Sequence, residues 1–533
     1  MKRQIYAGIS VLHAASAAAE YVWPSKYDFL EDVMNLQSGY IRQGFMDAVN
    51  PCSFGTNVKG RQNAAEWVRT IYHDMSTHDT ATGTGGLDAS IAFELDRDEN
   101  KGDAFNNTLA WMKIFYTVQS SAADLLALGV ITASDLCGGP KMSFRAGRVD
   151  ATEAGPKGVP EPSQDLETHT NIFAKAGFNT SDMITMVACG HTLGGVHNSD
   201  FPEITGDTTA DEVHMFEGGE SNSVFDNAVV TEYLDGSTDN TLVSGSNDTT
   251  NSDKRVFAAD GNVTMEALAD AAAFQTKCAD ILERMINTVP STVTLTDVIE
   301  PIEVKPYIEA MAVNSDGKIA FEGRIRLRVT ERQSDDITLH LTYADRSGAN
   351  SSTAIETTRA TLKGGISSGL HRESFAWYEF ATTLDADVGI SKFNVHLASA
   401  GATEVIDNGG NGFPLDDAIL YQETQSCLNY TTVGADLTVT AAVRKNRADE
   451  PLVLALAHNI PRQGIMLHRF EVKETAFEKT ATEKGGYVIF KAQTQIESSN
   501  SRTTFDIILG SGETQSKVEF QNTNPLTDTC ASL

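Results

Sequence analysis

Basic residues are scarce in this chain of 533 residues: 41 Lys and Arg stand against 72 Asp and Glu, a net charge of −31 at neutral pH. Such a surface repels phosphates, which excludes nucleic acid as a partner. No apolar run approaches the ~20 residues that span a bilayer core, so no transmembrane segment is expected. No self-similar period of solenoid length recurs, which excludes a repeat architecture. Tryptophan is limited to Trp23, Trp67, Trp111 and Trp377, most of them set in apolar helix or strand patterns.

What is present begins with an export signature. Lys2 and Arg3 precede an apolar stretch, Ile5 to Ala14, and small residues around Ala15 to Ala19 offer a cleavage point, so residues 1–19 read as a signal peptide. The sequons at Asn106, Asn179, Asn247, Asn262, Asn350 and Asn429 agree with a secreted, glycosylated, extracellular protein. In an exported chain the cysteines favour disulfides, although spacing does not decide their connectivity. Cys427 with Cys530 and Cys52 with Cys137 are the expected pairs. Cys189 and Cys278 fall in apolar helical patterns, where buried free thiols are the alternative.

The texture changes near Pro290. Residues 20–289 carry apolar positions recurring at three and four, as in AAEWVRTIYHDM and ALADAAAFQTKCADILERMIN, the period of amphipathic helices. Residues 290–533 alternate apolar and polar positions in short segments such as RIRLRVT, DITLHLTYA and YVIFKAQTQI, the mark of half-buried antiparallel strands. The expectation is a multidomain chain, mainly α and then an all-β sandwich.

Two segments carry chemistry. In WVRTIYHDM, Arg69 and His73 are one helical turn apart, which sets a guanidinium beside an imidazole on one face. In ACGHTLGGVH, His191 sits among Gly190, Gly194 and Gly195, residues that let something flat approach the backbone. Taken with the ordered blocks GGLDASI, ELDRDENKG, ADLLAL, AGRVDA and NSDKRVF, these segments resemble the plant-type haem peroxidases, secreted fungal members above all, over most of residues 40 to 290.

The resemblance implies haem b, with His191 as the axial iron ligand and Asp253 accepting its other N–H. On the opposite side it makes His73 the acid and base, Arg69 the stabiliser of developing charge, and Asn100 the acceptor that orients His73, itself held by the backbone of Glu94. Tyr72 stands where the family usually has Phe or Trp, and His197 is placed to touch a haem propionate. One calcium is expected at Asp74, Gly86, Asp88 and Ser90, all oxygen donors. A second position is partly matched by Thr192, Ser221, Val224 and Asp226, with Gly219 where a carboxylate belongs and Glu217 or Glu220 as substitutes. Zinc at His73 and His78 is set aside, because no third ligand lies at suitable spacing.

These readings imply a peroxidase, an oxidoreductase of the EC 1.11.1 type, that reduces hydrogen peroxide and oxidises small phenolic or aromatic donors. Met186 occupies the position of the surface tryptophan of lignin-type relatives. The alternative is a catalytically retired module acting through the β region on polysaccharide, cell wall or protein. The C-terminal histidines, His340, His371, His396, His458 and His468, read as structural.

Overall fold

The computed structural model describes residues 21–55, 59–206, 212–218, 223–332, 336–399, 401–496 and 503–533. The expected signal peptide, Ser221, Gly219 and Glu220 lie outside the described residues.

The first half is helical. The helix Asn63–Met75 buries Ala64, Trp67, Val68, Ile71 and Met75, residues spaced at three and four, against the core. The helix Ala122–Leu136 is buried on almost every side, and Ser121 caps its start by accepting the Asp124 N–H. The helix Thr180–Gly190 opens with a capping box between Asn179 and Asp182 and ends at His191. Its Cys189 is bonded to Cys278 on the helix Ala271–Ile286, so the free-thiol alternative is overturned. Two apolar helices packed together bring their cysteines into reach, a proximity that their separate patterns do not announce. Cys52–Cys137 and Cys427–Cys530 are paired as expected. Among the described residues no helix is long and apolar enough to cross a membrane.

After the last helix the chain is built of antiparallel strands, in four sheets around two apolar cores. The first pair of sheets spans strands from Val304–Val313 to Phe413–Pro414, and the second pair runs from Ile419–Tyr421 to Ser516–Asn522. The strand Ala435–Arg444 is buried on both faces: Val439, Ala441 and Val443 enter one core while Ala442 enters the other. The two sandwich-like layers are thereby stacked rather than separate.

The halves are joined at the N-terminus. The helix Asp28–Asn35 gives Leu30, Val33 and Met34 to the helical core, and turns Glu31 and Asp32 toward the first sheet. There Lys305 Nζ lies 2.9 Å from Glu31 and 2.8 Å from Asp32, and Arg326 bonds both carboxylates. Burial alone would raise the Glu31 pKa, but Arg326 and Lys305 outweigh it and hold it at about 2. The next residues, Ser38–Gly39, add a short strand to the edge of that sheet. Gly39 has φ +102°, and a Cβ there would lie 2.2 Å from the Ile366 carbonyl oxygen, so only glycine fits.

Candidate active site

Arg69, Tyr72 and His73 line one cavity of about 420 Å³ together with His191, His197 and Asp253. That volume lies in the range of small-molecule sites. Its wall is mostly apolar, with Phe173, Leu193, Phe216 and Leu282 among the lining residues.

His73 is buried on the helix Asn63–Met75. Its Nδ1 lies 2.9 Å from Asn100 Oδ1, and Asn100 Nδ2 donates to the Glu94 carbonyl at 3.1 Å. Because the amide NH2 is already committed, the oxygen faces the imidazole and Nδ1 carries the proton. Nε2 is then the free acceptor. Burial, reinforced by the Arg69 charge and opposed by the Asn100 hydrogen bond, lowers the His73 pKa to about 3. Arg69 donates to the Lys101 carbonyl at 2.9 Å and lies 4.7 Å from the Phe105 ring centroid. Burial lowers its pKa to about 10, so it stays cationic at neutral pH.

His191 ends the helix Thr180–Gly190, and its Nδ1 lies 2.7 Å from Asp253 Oδ2. Asp253 is the second residue of the helix Ser252–Phe257 and is buried. It also accepts from Asn240 Nδ2 at 2.9 Å and from Ser252 Oγ at 3.3 Å. With Nδ1 donating to the carboxylate, Nε2 of His191 is a lone-pair donor. Phe216 stacks on the His191 ring at 4.2 Å and 15°. Phe216 follows the strand Val213–Met215, which pairs with Gly195–His197, and its N–H bonds the Gly194 carbonyl.

The three glycines around His191 divide by role, which corrects the expectation of a uniformly open backbone. A Cβ on Gly190 meets nothing within 4 Å, so this residue alone leaves open space. On Gly194 it would meet Ala65 Cβ at 2.5 Å, and on Gly195 the His214 carbonyl oxygen at 2.1 Å, so both serve chain packing. Sequence reasoning missed Asn240, Phe216 and Phe105. Asn240 lies thirteen positions before Asp253 in a polar stretch without periodicity, and Phe216 reaches His191 only through strand pairing.

Tyr72 is half-buried, 6.0 Å from Phe173, and burial raises its pKa. His197 is half-buried, and burial lowers its pKa. Met186 is buried against the cavity.

The residues expected around calcium form tight local networks. Asp74 accepts backbone N–H groups from Asp88 at 2.9 Å, Ala89 at 2.8 Å and Ile91 at 2.8 Å, so it ties the GGLDAS loop directly to the His73 helix. Burial and the neighbouring Asp88 push Asp74 well above the usual carboxylate range. Ser90 N donates to Asp88 Oδ1, and the Gly86 backbone has φ +106°. At the second position Thr192 Oγ1 bonds Glu217 at 2.8 Å and the Asp226 carbonyl at 2.6 Å, while Val224 is exposed. Burial, with Asp226 and Glu232 adding to it, lifts Glu217 to about 8. Among the described residues no group of three or more His, Cys, Asp and Glu side chains is gathered to hold a metal ion. His78 Nδ1 donates to the Gly85 carbonyl at 2.9 Å, in a purely local role.

The family model described as peroxidase matches residues 54–286. Over 517 residues, 96% of its length, the chain is 39% identical to a WSC domain-containing protein of Arthroderma benhamiae, of which it covers 68%. It is 32% identical over 187 residues to L-ascorbate peroxidase 5, peroxisomal, of Arabidopsis thaliana, and 30% identical over 175 residues to L-ascorbate peroxidase 2, cytosolic, of the same plant. Those alignments take in 34% and 32% of this chain and 61% and 64% of the two relatives.

Proposed function

Because residues 54–286 match the peroxidase family model, we propose that the chain is a secreted haem peroxidase that reduces hydrogen peroxide and oxidises small phenolic or other aromatic donors. One observation carries this reading. Two imidazoles prepared in different ways open on one largely apolar cavity: His73 with Nδ1 on an amide oxygen, and His191 with Nδ1 on a carboxylate.

The residues fit haem b. His191 offers Nε2 backed by Asp253, as a metal-binding imidazole requires, and Gly190 leaves room beside it. When bound, haem supplies the redox chemistry between peroxide and the reducing donor. The chain supplies proton handling and charge. His73 Nε2 would take the proton from one peroxide oxygen and deliver it to the other; cleavage of the O–O bond to two waters would draw two electrons, through the bound haem, and two protons from the reducing donor and solvent. Arg69 steadies the negative charge that develops on the departing oxygen. Asn100 fixes the tautomer that leaves Nε2 free, and Tyr72 and His197 line the cavity that would hold the cofactor.

Calcium belongs to the same proposal. Asp74 is a buried carboxylate crowded by the half-buried Asp88, a situation that a divalent cation would relieve, with Gly86 and Ser90 as further oxygen donors. Thr192, Val224 and Asp226 belong to the second set, with Glu217 bonded to Thr192 as its additional carboxylate, and Ser221, its remaining expected member, lies outside the described residues. Export is supported by three disulfides and by sequon asparagines that are exposed at 106, 179, 247, 350 and 429. A polysaccharide or cell-wall partner suits the exposed polar strand Glu478–Lys484.

The test is spectroscopic. Haem-loaded protein is expected to show a ferric Soret band that shifts on adding peroxide and returns when a phenol is supplied. A chain that takes up haem while peroxide leaves the band unmoved would make the retired binding module the correct reading.

A further inference from the structure

The long hairpin of the last sheet ends on the helical half of the molecule. Its strands, Leu452–Arg462 and Ile465–Ala476, turn at Gln463 and Gly464. Leu467, 2% exposed, belongs to the apolar core of the helical half rather than to either core of the β region, and Ile465 and Met466 pack beside it. Arg462 Nε donates to the Leu467 carbonyl at 3.0 Å, and the guanidinium carbon lies 4.7 Å from the Phe93 ring centroid. Tyr116 of the helical half sits 5.0 Å from His468 and 4.9 Å from Phe470. Burial, with Lys113 and Arg462 adding to it, lowers the His468 pKa to about 4, so its ring packs as a neutral aromatic.

The segment under this tip is the one that sets His73. Phe93 ends the short turn Ser90–Phe93, and the carbonyl of the next residue, Glu94, holds Asn100, which holds His73. The helix Ala104–Met112, which also packs against the hairpin, carries Phe105, 4.9 Å from the His73 ring and 4.7 Å from the Arg69 guanidinium. On its other side the same turn is tied down by Asp74 through the N–H groups of Asp88, Ala89 and Ile91. Residues 88–94 are therefore clamped between the His73 helix and the hairpin. Close-packed interiors pass such constraints on, because a void on one side lets the whole turn shift. A proton carrier that drifts by even an ångström loses much of its effect.

We infer that Arg462 and Leu467 at the hairpin tip are positioning residues for His73, so that the β region forms part of the support of the candidate active site. The geometric claim stands on its own, and only its kinetic consequence rests on the proposed peroxidase function.

Hydrogen exchange on the full-length chain without haem tests the geometry. Leu467→Ala is expected to speed exchange over residues 88–100 by about tenfold, and Arg462→Gln by several-fold. Leu467→Met restores protection, and Val472→Ala, at a 60% exposed position farther along the same strand, changes nothing. In haem-loaded protein Leu467→Ala is expected to lower the rate of the peroxide reaction several-fold while kcat/KM for the reducing donor stays unchanged. Faster exchange confined to the hairpin itself, with residues 88–100 unaffected, overturns the inference. If Leu467→Ala fails to fold, Arg462→Gln carries the same readout, because it removes a ring contact without opening a core void. If the unsubstituted loaded chain does not react with peroxide, the proposed function fails while the exchange result still decides the positioning.

Discussion

His191 and Asp253, 62 positions apart, are joined by a 2.7 Å hydrogen bond, and the accepting oxygen takes a second one from Asn240. A carboxylate held by two donors fixes the ring's rotation and its tautomer together.

Asp253→Asn leaves a neutral group where the carboxylate accepted the imidazole proton. Haem uptake is expected to persist, with the ferric/ferrous potential moving positive and the peroxide rate falling by about 10- to 100-fold. Spectroelectrochemistry and stopped-flow mixing measure the two effects. An unchanged potential would remove Asp253 from its proposed role.

His73→Ala is expected to slow the reaction with peroxide by about 10²- to 10⁴-fold while the haem-loaded chain keeps its ferric spectrum. A rate within a factor of about two of the unsubstituted protein rules out His73 as the proton carrier.

The pH profile follows from the His73 pKa of about 3. The base acts when neutral, so the peroxide rate is expected to hold as pH falls through 6.5 and to decline only near 3. Stability behaves differently. The folded pKa lies below the unfolded value, so the contribution of this group is complete above about 6.5 and is lost as pH falls from there toward 3. Thermal melting along that range, set beside the rate, separates the two.

Lys305→Ala leaves Glu31 and Asp32 buried with only Arg326 to balance them. Removing one partner of a buried charge cluster costs about 3–5 kcal/mol, which thermal or denaturant unfolding would register. The Glu31 pKa of about 2 adds a signature: its stabilisation is present above about 4.5 and is lost as pH falls toward 2. A melting temperature unmoved by the substitution would mean that this cluster contributes nothing to the joint.

Calcium chelation is expected to lower the melting temperature of the unsubstituted protein and to leave Asp88→Ala unaffected by the chelator. Equal responses in both proteins would remove the ion from the Asp74 and Asp88 site.

The helical half and the strand-rich remainder were legible because apolar spacing changes from three and four to two near residue 290, and periodicity survives in any sequence window. The site was legible where it depends on local order, as with Arg69 and His73 one turn apart on a helix. It was illegible where it depends on contacts made only by folding. Asn240 reaches Asp253 from a polar loop, Phe216 meets His191 through a two-strand pairing, and Cys189 meets Cys278 across two helices that each look like plain core. The strand Ala435–Arg444 illustrates the same limit on a larger scale. Burial on both faces blurs its alternation, so the stacking of two cores could not be read from its pattern.

Glu31 and Asp32 lie upstream of the stretch matched by the family, yet their counter-ions sit on strands as far as 295 positions away. A graft that replaced the helical half with the matching region of a peroxidase-family relative would therefore leave Lys305 and Arg326 as orphaned cations inside the protein. Recombining these modules calls for moving the Asp28–Asn35 helix together with the sheet it meets, so the working unit of exchange crosses the boundary that sequence periodicity draws.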